Sequence, residues 1–540
     1  MDRDVEKTST YSGIISPERN EPTFTPIRST TQATRTRSQA SINLSRCQSQ
    51  NGYSCNPFHN EPSDDDLEKD PFEVGWDNGD NDISCPRSLN KMRKWVIVTI
   101  VASASFCVTA ASSIYALTYE QMEAEFGNSR EVSILGLSLF VVGIGLGPMF
   151  LSPLSEFYGR RPIYLVSWSM YVIWIIPQAV AQNIETVLVS RFVDGFAGSA
   201  FLAVSGGTVG DLFTMNDIQA PMLMFSIAPF IGPSIGPLIG GFINFNVDWR
   251  WTHYVLLIWA FVLGLAIAFL VPETYHPILL RNKARHIRKE TGDERWKAPT
   301  EKVQKSAISA IGRSLLRPFQ LLIFEPMCLN LCILSAIVLG ILYLFFGAFP
   351  LVFRNIYGFN LWQTGCSFLG ILVGMLAAAG LDPVWHRNRN NLVRKLSEET
   401  GIEGSSQPEF RLPPAIVGGL LVPVGIFMFG WSCYPWVHWI VPIIGSAIFG
   451  AGILLVFSGV FTFLVDAYPQ YAASALAANA FVRCTFAAAF PLFGNQMFNK
   501  LDYHWASSLL AFLTVAMMPF PYLFFKYGKR IRATSRFATS

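Results

Sequence analysis

Inside a long apolar run the chain reads SRFVDGFAGSAF, residues 190 to 201, which sets Arg191 and Asp194 three apart and so on one side of a helix. Ionisable groups are expensive in hydrocarbon, so a pair kept there faces a partner or a pathway. The chemistry such a pair can do is proton transfer, with Asp194 as the protonatable group and Arg191 as its companion; the competing reading is a static ion pair. A second cluster, LSPLSEFYGRRPIY at 151 to 164, places Glu156 near Arg160 and Arg161 in a short loop turned by Gly159. Asp211 ends the VGD stretch that follows the Asp194 run, and Asp466 ends LVD much later. Asn479 and Arg483 sit one turn apart in YAASALAANAFVRCTFAAAF, while Tyr343 and Phe346 belong to YLFFGAFPLVF. Aromatic lining with few polar groups suits a large hydrophobic or cationic small molecule. No HExxH, GxSxG or P-loop occurs, and the nine cysteines form neither a zinc pattern nor a disulfide framework. An enzyme, an ATP-driven pump, a cofactor, a metal and a nucleic-acid partner are therefore not expected.

These groups need elements to hold them, and the composition says which. Hydrophobic residues make up 51% of the chain and charged ones only 15%, against roughly 25% charged in soluble domains. Twelve predominantly apolar windows are long enough to cross about 30 Å of hydrocarbon: 95 to 117, 132 to 152, 163 to 182, 187 to 208, 221 to 245, 251 to 271, 326 to 349, 362 to 381, 413 to 432, 437 to 464, 471 to 495 and 505 to 526. Continuous apolarity, rather than two-residue alternation, predicts helices. Net charge is +3, and the cations crowd into alternate loops, which by the positive-inside rule puts both termini in the cytoplasm. The expected division is a disordered cytoplasmic tail at 1–94, a six-helix bundle at 95–271, a cytoplasmic loop at 272–325 with an amphipathic helix suited to lying on the membrane, a solvated linker being the competing reading, a second six-helix bundle at 326–527 and a short tail at 528–540.

Six helices, a long loop and six more suggest two repeated halves. The loop between spans 8 and 9, with Asp382, Arg387 and Arg389, stands where Glu156, Arg160 and Arg161 stand in the first half. Repeats of this kind predict a site between the halves near the midplane. The stretch APFIGPSIGPLIGGF in span 5 carries Gly232, Pro233, Gly236, Pro237, Gly240 and Gly241. In lipid, neighbouring helices can satisfy the groups that proline frees, and glycines four apart let another helix approach closely. A bendable seam between the halves is the expectation.

These motifs resemble those of the major facilitator superfamily, in its fungal drug:proton antiporter branch with twelve spans, over about residues 90 to 530. The family's loop pattern falls on Gly159, Arg160 and Arg161, with Ser152 and Glu156 standing for its leading glycine and aspartate. Its span-4 pattern Arg-x-x-x-Gly falls on Arg191 and Gly195, and its antiporter pattern on the span-5 glycines and prolines. NDIQAP after span 4 lacks the Glu-Arg-Gly of other facilitators. The resemblance implies an all-α membrane protein of two pseudo-symmetric bundles and proton-driven efflux across the plasma membrane. It also implies a gating loop in which Arg160 or Arg161 engages Glu156 and Asp211, a proton role for Arg191, and a monomer in the bilayer. A nutrient importer on the same fold is the alternative, and a non-transporting sensor a more distant one.

Overall fold

The computed structural model describes residues 72–77, 80, 82–214, 217–302, 307–401, 406–469, 471–533, 535, 537 and 538. The expected tail lies outside the described residues up to 71.

The first half runs as Lys91–Ile114 (span 1), Arg130–Tyr158 (span 2), Arg160–Ala179 (span 3), Ile184–Ala203 continued by Ser205–Leu212 (span 4), Gln219–Asn246 (span 5) and Arg250–Leu270 (span 6). The second runs as Pro326–Tyr357 (span 7), Leu361–Ser367 continued by Leu369–Gly380 (span 8), Pro413–Trp431 (span 9) and Ile440–Ala467 (span 10). The helix Ala472–Met517 then turns at Asp502, with φ 58° and ψ 162°, so that it holds span 11 and the start of span 12; Pro519–Arg532 completes span 12. Ten described stretches pass a length-and-apolarity test for crossing a membrane, the last of them being this double stretch Ala472–Arg532. Span 3 is the remaining crossing. Its 20 residues reach about 30 Å at 1.5 Å each, and its Ser167, Ser169 and Gln178 explain its weaker apolar signal.

Helix pairing repeats between the halves. Span 1 packs on span 5 and span 7 on span 11; span 2 packs on span 4 and span 8 on span 10. Across the divide, span 2 meets span 11 and span 5 meets span 8, which is the same contact with the halves exchanged. Spans 1 and 7 are the most enclosed, while Ile258, Phe261, Val262 and Phe269 of span 6 face outward, as lipid-facing residues do. We call the end where span 1 begins and span 12 finishes proximal, and the other end distal.

The linker differs from the expectation of a membrane-lying helix. His276–Thr291 is a helix, but the apolar side formed by Leu280, Ala284 and Ile287 is covered by Val74, Trp296 and Ala298. Phe72 to Val74 pair with Lys297 through two backbone hydrogen bonds of 3.1 and 3.0 Å, and Lys283 bonds Asp77 at 2.9 Å and Asp82 at 2.8 Å. The side chain that would have faced lipid thus finds its apolar partner in the segment before span 1. A second linker helix, Ala307–Phe324, packs on spans 2 and 11 and leaves Leu316, Ile323 and Phe324 exposed.

Candidate functional site

Span 2 ends at Gly159, whose φ of 99° disfavours any side chain and whose added β-carbon would lie 2.9 Å from the Glu273 carboxyl carbon. That tight turn aims the first amides of span 3 at Glu273, which accepts from Arg160 N at 2.9 Å and Arg161 N at 3.1 Å. A carboxylate at a helix N-terminus satisfies orphan donors and complements the helix dipole. The Arg160 side chain, 1% exposed, donates to Asp211 at 3.3 Å and to Ser155 at 2.7 Å, and lies over the Tyr275 ring. Arg161 donates instead to the Ala268 carbonyl at 3.2 Å. His276 bonds the Asp211 carbonyl at 2.9 Å, tying the linker to the end of span 4. Glu156, half-buried, sits close enough to Tyr275 to interact with it electrostatically. Of the expected cluster, then, Gly159, Arg160 and Asp211 meet, and Glu273 joins them. The signal for Glu273 was an acid directly after an apolar run, in the PETY stretch, residues 272 to 275, that follows span 6.

Arg191 and Asp194 are both buried, but they do not bond to each other. No ion pair within 4 Å joins them among the described residues; Arg191 donates to the carbonyls of Ala111 at 2.9 Å, Ser112 at 3.3 Å and Gly136 at 3.5 Å. Its guanidinium also lies 4.4 Å from the Tyr115 ring and 4.1 Å from the Phe140 ring. Asp194 accepts from Gln178 of span 3 at 3.1 Å, and its other oxygen is buried without a partner. Three residues turn a helix by about 300°, so the long arginine reaches spans 1 and 2 while the short aspartate faces span 3. The picture of a bonded pair is corrected accordingly. Nearby, the hydroxyl of Tyr115 and both ring nitrogens of His253 are also buried without partners among the described residues.

The span-5 glycines serve two neighbours. A β-carbon at Gly236 would lie 2.6 Å from the Ala110 carbonyl and one at Gly240 would lie 3.0 Å from that of Ile114, both on span 1; Gly232 likewise meets the Ala110 amide at 2.9 Å. Gly241 instead meets the Leu361 carbonyl of span 8 at 2.9 Å, and Gly365 of span 8 meets the Pro237 carbonyl at 2.6 Å. Pro233, buried between Gly232 and Ser234, belongs to this same packed stretch. The glycines therefore pack mostly on span 1 of their own half, while Gly241 at the distal end, Ser234 in the middle and Phe230 toward the proximal end touch the other half.

Between the halves, Tyr343 of span 7 bonds Ser112 of span 1 at 2.9 Å and packs edge-on to Phe346 at 5.1 Å. Phe230 of span 5 stacks on Phe457 of span 10 at 5.0 Å. Arg483 lies over the rings of Phe457 and Phe461, and Asn479 one turn away is buried. At the distal end Arg354 pairs with Glu120, Gln496 bonds Glu131 at 3.4 Å, and Phe242 stacks on Trp362 at 5.7 Å, each contact joining the two halves.

Two exchangeable six-helix halves, charges buried inside them and a polar and aromatic lining where they meet define a membrane transporter. Residues 101–491 match the model of the Major Facilitator Superfamily. The efflux pump atB of Aspergillus terreus is 55% identical over 460 residues, 85% of this chain and 89% of that protein. The probable drug/proton antiporter YHK8 of Saccharomyces cerevisiae is 43% identical over 460 residues, 84% of this chain and 87% of that one. Among solved structures, the inward-open xylose transporter XylE from E. coli superposes with a TM-score of 0.56 at 14% identity, covering 79% of this chain and 96% of that one. The chain belongs to the major facilitator superfamily and is a multi-pass membrane protein.

Proposed function

We propose that this protein exports small, partly apolar molecules across the plasma membrane in exchange for protons, by alternating access, as a monomer with both termini in the cytoplasm. The relatives named as an efflux pump and a drug/proton antiporter support the direction and the coupling. The observation that carries the reading is Asp194: a buried carboxyl inside the membrane, held on one oxygen by Gln178, with no cation bonded to it among the described residues. The proximal cations, among them Arg93, Lys94, Arg161, Lys526 and Lys529, support a cytoplasmic proximal face.

In this reading residues 1–94 form the cytoplasmic tail, 95–271 and 326–527 the two moving bundles, 272–325 the cytoplasmic linker and 528–540 the closing tail. The distal contacts between Arg354 and Glu120 and between Gln496 and Glu131 hold the outer end shut, leaving the substrate side toward the cytoplasm. The Arg160–Asp211 pair, with Glu156, Gly159 and Arg161 around it, is a gating latch at the proximal end of the first half, made in this access state and broken in the other. The span-5 glycines and prolines let spans 1, 5 and 8 shift against one another. Protonation of Asp194 from outside removes a buried charge and changes its bond with Gln178. It drives the cycle only by favouring one access state over the other. Tyr343, Phe346, Asn479 and Arg483 belong to the substrate region.

Proteoliposomes with an imposed pH gradient test this reading. Uphill substrate movement should track the gradient, trapped-dye pH should change when substrate is added, and a protonophore should abolish both. Substrate movement that ignores the gradient contradicts the coupling.

A further inference from the structure

Two polar side chains on span 11 have no hydrogen-bond partner among the described residues. Asn479 is 1% exposed, and neither its amide nitrogen nor its amide oxygen has a hydrogen-bond partner. Buried amides are nearly always satisfied, so such a pair of orphans calls for a ligand or water. Arg483, one turn further on and half-buried, has a buried Nε without a hydrogen-bond partner among the described residues, and its guanidinium lies over the rings of Phe457 at 5.3 Å and Phe461 at 5.0 Å. Its ionisable neighbours are Cys484, Tyr343 and Cys332, weak acids that are ordinarily uncharged at neutral pH. No carboxylate is among them.

Arg191 shows how this chain settles an arginine that it keeps for itself: three backbone carbonyls and two ring faces. Arg483 has the ring faces alone. An arginine inside a membrane without a counter-charge is costly, and the cost is removed if the negative charge arrives with the substrate. The guanidinium fork matches the paired oxygens of a carboxylate or sulfonate, and the Asn479 amide can donate to one of them. The walls are flat. Phe457 and Phe461 lie nearly parallel to Phe230, at 5.0 and 6.3 Å with interplanar angles of 19° and 30°. Phe230 belongs to span 5 and the other two to span 10, so a ring inserted here touches both halves. A cationic substrate would meet a like charge.

We propose that Arg483 and Asn479, with Phe230, Phe457 and Phe461, bind a planar aromatic anion, so that the exported molecules are aromatic acids rather than cations. This inference rests on the exporter reading above. Because the site is shared between halves, its affinity changes when they move, which is what coupling requires.

The probe is 2-naphthalenesulfonate, charged at every working pH and unable to cross the bilayer alone, set against tetraphenylphosphonium. Equilibrium binding to the purified full-length protein and pH-driven flux in proteoliposomes are measured together. Wild type is expected to bind and move the sulfonate and not the phosphonium. Arg483→Gln should weaken sulfonate binding at least tenfold with an unchanged melting temperature, and Asn479→Ala severalfold. If Arg483→Gln does not fold, Arg483→Lys, which keeps the charge but loses the fork, should still bind several times more weakly than wild type. Wild-type affinity in whichever Arg483 variant folds overturns the proposal. Arg483-dependent sulfonate binding without pH-driven flux keeps the anion site and rejects the exporter reading. Phosphonium flux driven by the gradient, with no sulfonate binding, keeps the exporter and rejects the anion site.

Discussion

In the first half an acid that follows span 6 reaches back to the start of span 3; in the second half the cation that ends span 12 reaches back to an acid just before span 9. Glu273 accepts from the Arg160 and Arg161 amides at 2.9 and 3.1 Å, whereas Arg532 donates through its fork to Glu409 at 2.8 and 2.9 Å. Each half then adds an arginine–aspartate pair at the end of its fourth helix: Arg160 with Asp211 at 3.3 Å, and Arg411 with Asp466 at 2.7 Å. The two locks occupy equivalent places with reversed polarity. The first depends on backbone shape, since its donors are main-chain amides positioned by Gly159. The second depends on side-chain identity, since both members are charged side chains, 5% and 2% exposed.

That difference can be broken in order of expected effect. Glu409→Gln removes the carboxylate charge from a buried, doubly hydrogen-bonded ion pair and should destabilise the protein by about 3 kcal/mol or more, read as a large fall in melting temperature in detergent. A fall no larger than that of a surface variant would contradict the buried pair. Gly159→Ala forces a side chain into a φ of 99° against Glu273 and should cost about 1–3 kcal/mol. Its transport should fall with its stability, and full activity would show that the turn is not required. Glu273→Gln keeps an oxygen that can accept from the two amides, so the expected loss is about 1 kcal/mol or less. A loss equal to that of Glu409→Gln would erase the distinction between the locks.

The smallest effect concerns the segment docked on the linker. A hydrogen bond from Lys283 is the main reason the Asp82 carboxyl is held below its ordinary range. A carboxyl depressed in the folded state contributes stability above its unfolded value, and that contribution is lost as pH falls through the folded one. Docking of residues 72–77 should thus be constant from pH 8 to 5 and weaken only below about 4. Hydrogen exchange of the Val74 and Lys297 amides, corrected for intrinsic rate, reads this directly. Weakening near pH 6 would assign the contact to another group.

The membrane helices were legible because apolar length is a local property. All twelve expected windows coincide with helices, and the span-5 glycines stand where close helix approach requires them. Arg160 and Asp211, expected to meet, do meet. What escaped is what depends on distant partners. Glu273 is 113 residues from the amide it caps and Glu409 is 123 from Arg532, so no spacing rule joins them. Asp382, Arg387 and Arg389 were matched to the first-half loop by position; Arg389 does lie close enough to Asp466 and Arg411 to interact with them electrostatically, but the cation that bonds Asp466 is Arg411, which the intervening helix Asp382–Thr400 separates from them in sequence. The three-residue spacing of Arg191 and Asp194 was read correctly as one helix side, yet side-chain length and the carbonyls of spans 1 and 2 decided where each pointed. The apolar positions of His276–Thr291 were likewise seen, but the sequence could not say that Val74 and Trp296 cover them rather than lipid.

The central claim is that Asp194 carries the proton. The most direct measurement compares Asp194→Asn with wild type in proteoliposomes, using two readouts: substrate counterflow with no pH gradient, and uphill accumulation with one. The account predicts that the variant, permanently uncharged at this position, still exchanges substrate but no longer accumulates it or moves protons. Uphill, gradient-driven accumulation at the wild-type rate in Asp194→Asn would contradict it.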